Sequence, residues 1–130
     1  MLKQQELDEL SNYLNSMQPM MVNRTLQLYQ SDSTLQARYG IELRNMAQHG
    51  VSNFVEILLA AVELNQPKIL ADQLKWLENL LHTRQIDSRH LNIMLEQIRI
   101  YFKAKLPVAQ REAVLAVLDQ AVEQLGSVPK

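Results

Sequence analysis

Three glycines and four prolines are all the turn-makers in 130 residues, and none sits in a hairpin pair such as Asn-Gly or Asp-Gly. A chain so short of turn chemistry cannot be cut into many strands, because tight reversals need residues that accept unusual backbone angles. No sustained alternation of apolar and polar residues replaces the missing hairpins. What lies between the breaks is rich in Leu, Gln, Glu and Ala, the residues that lose least on entering a helix. The expectation is an all-α protein, with residues 1–130 forming one domain around a single core.

The breaks predict the helices. A first helix is expected over 2–16 on the stripe Leu2, Leu7, Leu10 and Leu14, interrupted at Pro19, with a second segment over 19–30. Ser33 and Gln36 fit a capping box for a helix over 34–49 that stops at Gly50. Ser52 then caps a helix over 53–65, apolar on most sides and therefore central. Pro67 suits the first turn of a helix over 67–84, where its missing N–H costs nothing. Asp87 caps a helix over 88–105 with Leu91, Met94, Leu95, Ile98 and Phe102 inward. Pro107 opens a last helix on Val114, Leu115, Leu118, Val122 and Leu125, ended by Gly126 ahead of a frayed tail, 127–130. Six or seven helices of mixed length on short links suggest globin-like packing rather than an equal four-helix bundle.

Several chemistries are missing from the sequence. There is no cysteine, which removes disulfides, thiolate metal sites and thiol nucleophiles. Thirteen basic residues against fourteen acidic ones leave no electrostatic footprint for nucleic acid. No apolar run approaches the ~20 residues of a membrane span, and no leader pattern opens the chain. The single glycines 40, 50 and 126 build no phosphate loop, and no serine sits in a nucleophile elbow. His82 and His90 have no histidine or carboxylate at i+3 or i+4, and with His49 they read as solvated helix-end residues. The expectation is a cytoplasmic protein that is not an enzyme and needs no cofactor, metal, nucleic acid or membrane.

Other residues point to contacts. Lys68 and Lys75 can pair with Asp72 and Glu78 along a solvated face. Met17, Met20, Met21, Met46 and Met94 can fill a core or line an adaptable pocket. Arg99, Lys103, Lys105 and Arg111 form a basic cluster, offset by Glu96 and Glu112, that can touch an acidic partner. Helix 67–84 carries an apolar arc wider than the ~100° a one-sided helix needs. Trp76 and Leu80 on that arc are the expected interface of a homodimer.

The run Arg38-Tyr39-Gly40-Ile41-Glu42-Leu43-Arg44-Asn45 resembles the pigment-attachment segment of phycobiliproteins, Arg-Tyr-x-x-Cys-x-Arg-Asp. The stretch Pro67-Lys68-Ile69-Leu70-Ala71-Asp72 is similar to that family's Pro-x-Val-Leu-x-Asp. The likeness spans roughly 38–100 and implies a globin-like fold. Glu42 stands where the family has its bilin-bearing cysteine and Asn45 where it has aspartate, so the resemblance implies a non-pigmented relative. Arg44 is kept, and is the candidate cofactor-binding residue as a propionate partner. The functional expectation is an interaction or sensor domain. The alternative is a binding domain for a fatty acid or unlinked tetrapyrrole between helices 53–65 and 67–84, with Arg44 or a lysine holding the carboxylate.

Overall fold

The computed structural model describes residues 2–126, and the tail expected to fray lies outside them. These residues form six helices and no strand: α1 Gln4–Gln30, α2 Ser33–Tyr39, α3 Glu42–Glu63, α4 Pro67–Thr83, α5 Arg89–Lys105 and α6 Val108–Gly126. The all-helical expectation therefore holds for every described element.

Two expected breaks do not exist. Pro19 lies inside α1, which runs unbroken over 27 residues. Leu10, Leu14, Met17, Met21 and Leu26 are buried on both sides of the proline. Fully burying each such side chain stabilises by about 1.5–3 kcal/mol, and together they exceed the roughly 3 kcal/mol that an interior proline costs. Gly50 is likewise interior to α3, between Ala47 and Val51, which are 0% and 2% exposed. An interior glycine costs about 1 kcal/mol against alanine, too little to break a helix buried through its neighbours. Ser52 is consequently a mid-helix residue rather than a cap.

The break comes ten residues earlier. Gly40 takes φ +53°, which glycine accepts at no steric cost, and its N–H donates to the Gln36 carbonyl. At the other end of α2 the cap is Asp32 rather than Ser33: its Oδ1 accepts the N–H groups of Thr34 (3.0 Å) and Leu35 (3.2 Å).

Pro67 opens α4 and Pro107 immediately precedes α6, as their missing N–H groups predict. Asp87 accepts the Arg89 N–H at 2.9 Å at the start of α5. The helices α3 and α4 stop without glycine. Asn65 and Gln85 adopt φ 50° and 60°. Behind them Gln66 N–H donates to Ala61 O, and Ile86 N–H to Leu81 O, both at 2.8 Å. This is the Schellman closure, and at the second stop Ile86 and Leu81 are both buried, supplying its usual apolar contact.

Around the core, α1 packs on α3, α3 on α4, α4 on α6, α6 on α5, and α5 returns to α1. The helices α3 and α6 also touch across the middle, and α2 covers the α1–α3 end. Phe102, Leu58, Leu70, Leu74, Leu118 and Val114 are sealed inside. Val122, expected inward, is 37% exposed, while Val117 and Ala121 take the buried positions of α6.

The placement of the two glycines gives opposite expectations. A Cβ at Gly50 meets nothing within 4 Å, so Gly50→Ala should stabilise the fold by about 1 kcal/mol. Gly40→Ala should destabilise it by about 1–3 kcal/mol, through the strained backbone. Urea midpoints measured on both variants should move in opposite directions; a loss of stability in Gly50→Ala would mean that α3 is not one helix.

Candidate functional site

The helices α1 and α5 run antiparallel along a seam. Tyr29 meets His90, Thr25 meets Met94, and Met20 and Met21 lie level with Ile98, Tyr101 and Ala104. A polar contact holds one end of this seam, a second joins α6 to the start of α1, and a groove lies between them.

At one end, His90 Nε2 is 2.9 Å from Asp32 Oδ2. The two residues are 58 positions apart, on the first turn of α5 and the N-cap of α2. The edge of the Tyr29 ring stands against the imidazole, with centroids 6.2 Å apart and planes at 85°. One carboxylate thus performs two tasks, since Oδ1 caps α2 while Oδ2 holds α5. The hydrogen bond to His90, followed by that from the Leu35 N–H, lowers the Asp32 pKa below its ordinary 3.8. Burial raises that of the Tyr29 phenol. His90 is not the solvated residue expected from the sequence; only 14% of its side chain is exposed.

A histidine oriented by an aspartate is also the core of many hydrolytic sites. Here the other ring nitrogen, Nδ1, is buried and has no partner among the described residues. What the Asp32–His90 contact does in the fold is to clasp α2 to α5. At the opposite end of α1, Gln110 at the start of α6 is 3% exposed and donates to Glu9 Oε2 (3.1 Å) and the Glu6 carbonyl (3.4 Å), tying α6 to α1.

Between the clasps lies an apolar groove of about 220 Å³, lined by Met20, Met21, Met94, Ile98, Ile100 and Tyr101, with Arg24 and Gln97 on its walls. Three of the five methionines read as pocket-lining meet here. Met17 is instead buried in the core, and Met46 packs against the core on α3. Thr25 closes the floor, its hydroxyl donating to the Met21 carbonyl at 2.8 Å and lying 3.4 Å from the Met94 sulfur. Met20 and Ile100 remain 38% and 58% exposed at the mouth.

The other candidates are dispersed. Arg44 is exposed on α3 and, with His49 and the amides Asn15, Gln18 and Gln48, lines a polar cleft of about 590 Å³ facing α1. The cleft lies between α1 and α3 rather than between α3 and α4, helices that pack on each other and whose Leu58, Ala61, Leu70 and Leu74 are buried. Arg38 donates to the carbonyl of Arg84, the C-cap of α4, and its guanidinium lies 5.8 Å from the Tyr39 ring centroid. Arg38 therefore ties α2 to the end of α4, and the hydrogen bond from Arg38 lowers the Tyr39 pKa. Trp76 is 57% exposed on α4 and Leu80 is half-buried beside it.

Of the expected surface pairs, Lys68 and Asp72 meet at 2.9 Å. In the basic cluster, Arg99 is held by Asp119 at 2.8 Å and Arg111 donates to the Lys103 carbonyl. Among the described residues no three His, Asp or Glu side chains converge as a metal site, and no helix is long and apolar enough to cross a membrane. No family model, curated protein or solved structure matches the chain.

The clasp has a pH signature. A carboxyl whose pKa is lowered on folding contributes stability above its unfolded value, and that contribution is lost as pH falls through the folded one. For Asp32 the loss lies below about pH 4. Asp32→Asn keeps an N-capping side chain but cannot titrate. Its urea midpoint should therefore fall less between pH 7 and pH 2.5 than that of the wild type; equal falls would show that Asp32 does not carry this acid sensitivity.

Proposed function

We propose that the protein is a non-enzymatic helical interaction module that works as a homodimer, with α4 as the contact between copies. Exposed Trp76 carries the reading. Tryptophan combines a large apolar area with few rotamers and is enriched where binding energy concentrates. It belongs to a stripe of Ile69, Gln73, Trp76 and Leu80, spaced four, three and four residues apart, which is the seam spacing of paired helices. The inner side of α4 rests on α3 and α6, and this stripe includes its most exposed large apolar residue.

Charge balance favours a second copy as the partner. A two-fold interface sets one patch against itself, so a face of one sign resists it. Lys68 and Lys75 against Asp72 and Glu78 give α4 two charges of each sign. The globin-like arrangement, the cytoplasmic setting and kinship with non-pigmented phycobiliprotein-like proteins belong to the same proposal. They rest on the mixed helix lengths and on the residues matched between 38 and 100. In that setting the scaffold serves protein contacts or sensing in place of pigment.

Sedimentation tests the dimer. The wild type should be dimeric at about 50 µM, a concentration suited to a weak self-association. Trp76→Glu should be monomeric with an unchanged helical circular dichroism spectrum, because the replaced side chain lies largely outside the core. A monomeric wild type would end the homodimer reading, and a dimeric Trp76→Glu would move the contact off α4.

A further inference from the structure

The groove between α1 and α5 differs from the α4 face in shape and in charge. It is concave where the α4 stripe is convex at Trp76. Along α1, Arg24 is the only charged residue between Glu9 and Asp32. It stands on the wall of an apolar groove, and no ion pair holds it among the described residues. On α5 the charged residues Glu96, Arg99, Lys103 and Lys105 are not among those that line the groove, and Arg99 is turned to Asp119 on α6. Arg24 is the one charged residue among the described residues lining the groove, so a second copy of the same groove would set two arginines against each other.

The dimensions select among anionic partners. A volume near 220 Å³ is below the roughly 300–1,000 Å³ usual for small-molecule sites, which also enclose most of their ligand. The groove is instead long and open. From Met94 to Ala104 it follows ten residues of α5, about 15 Å at the helical rise. Three side chains at i, i+4 and i+7 of a docked helix span about 11 Å by the same rise. The methionine lining adapts to side chains of different shape, and a groove taking such anchors is a recurrent mode of helix recognition.

We infer that the α1–α5 groove receives an amphipathic helix from another protein, seating three apolar side chains among Met20, Met94 and Ile100 and setting an acidic flank against Arg24. The inference rests on the interaction-module reading but uses a face separate from α4.

The probe is a 16-residue designed peptide with leucines at heptad spacing and glutamates on both flanks. Its binding is followed by fluorescence anisotropy and by the methionine methyl signals of the full chain. The peptide should shift Met20, Met21 and Met94 and leave Met46 unmoved. A version with lysine in place of glutamate should bind about tenfold more weakly or worse, through charge repulsion by Arg24. Ile100→Glu and Arg24→Glu, both at exposed positions, should each weaken the glutamate peptide about tenfold with the helical spectrum intact.

No groove-methionine shift at 1 mM glutamate peptide would overturn the inference, as would equal binding of the two peptides. Shifts produced by sodium dodecanoate but not by the peptide would also overturn it, assigning the groove to an acyl carboxylate. Sedimentation of the same samples separates this result from the dimer. Trp76→Glu should still bind the peptide; failed binding by a dimeric wild type removes the groove partner alone, and binding by a monomeric wild type removes the dimer alone.

Discussion

The structure depends on the unbroken apolar stripe of α1. Leu10, Leu14, Met17 and Met21 hold a single helical register through Pro19, and that register gives α1 the length to reach α2, α3, α5 and α6. A chain that turned at Pro19 would separate the half that meets Gln110 from the half that meets His90. The α1 side of the groove is built by Met20, Met21, Arg24 and Thr25, all beyond Pro19, and the His90–Asp32 contact holds the start of α5 near that end.

The sequence reveals much of this and conceals a definable part. Pro67 and Pro107 were legible because a proline at a helix start acts through local geometry alone. Pro19 and Gly50 misled for the opposite reason: their local cost is opposed by burial against helices distant in sequence. The cap at Asp32 was missed by one residue because Ser33 and Gln36 offer a competing pattern with the same chemistry. The stops near Asn65 and Gln85 were legible from the helix starts that follow them at Pro67 and Asp87, but with no glycine there the left-handed turns themselves were not. As a candidate site, the methionine group was partly visible: its residues could be named, but not that Met94 joins Met20 and Met21 while Met17 and Met46 go elsewhere. The His90–Asp32 clasp was not legible, since 58 residues separate its members and no helical spacing connects them.

The two proposed contact faces follow different electrostatic rules. The α4 stripe is balanced in charge and convex, suited to meeting its own copy. The α1–α5 groove is concave with Arg24 as the one charge on its wall among the described residues, suited to something unlike itself. Because the faces lie on different helices, one molecule can use both at once, and the dimer would then present two grooves. Two weak sites tied together in this way hold a divalent partner far more tightly than either does alone, provided the partner spans them.

Asp32 has a consequence for how the molecule opens. The helix α2 has seven residues, well short of the roughly 12–15 at which an isolated helix becomes even marginal in water. Its persistence is borrowed from its cap and from Leu35 beneath it. The carboxylate that supplies the cap also anchors the first turn of α5. Residues 33–39 and the start of α5 are therefore a single unit of local unfolding although 50 residues of chain lie between Tyr39 and His90. Any event that takes Asp32 away releases both together, and the upper end of the α1–α5 seam loosens with them.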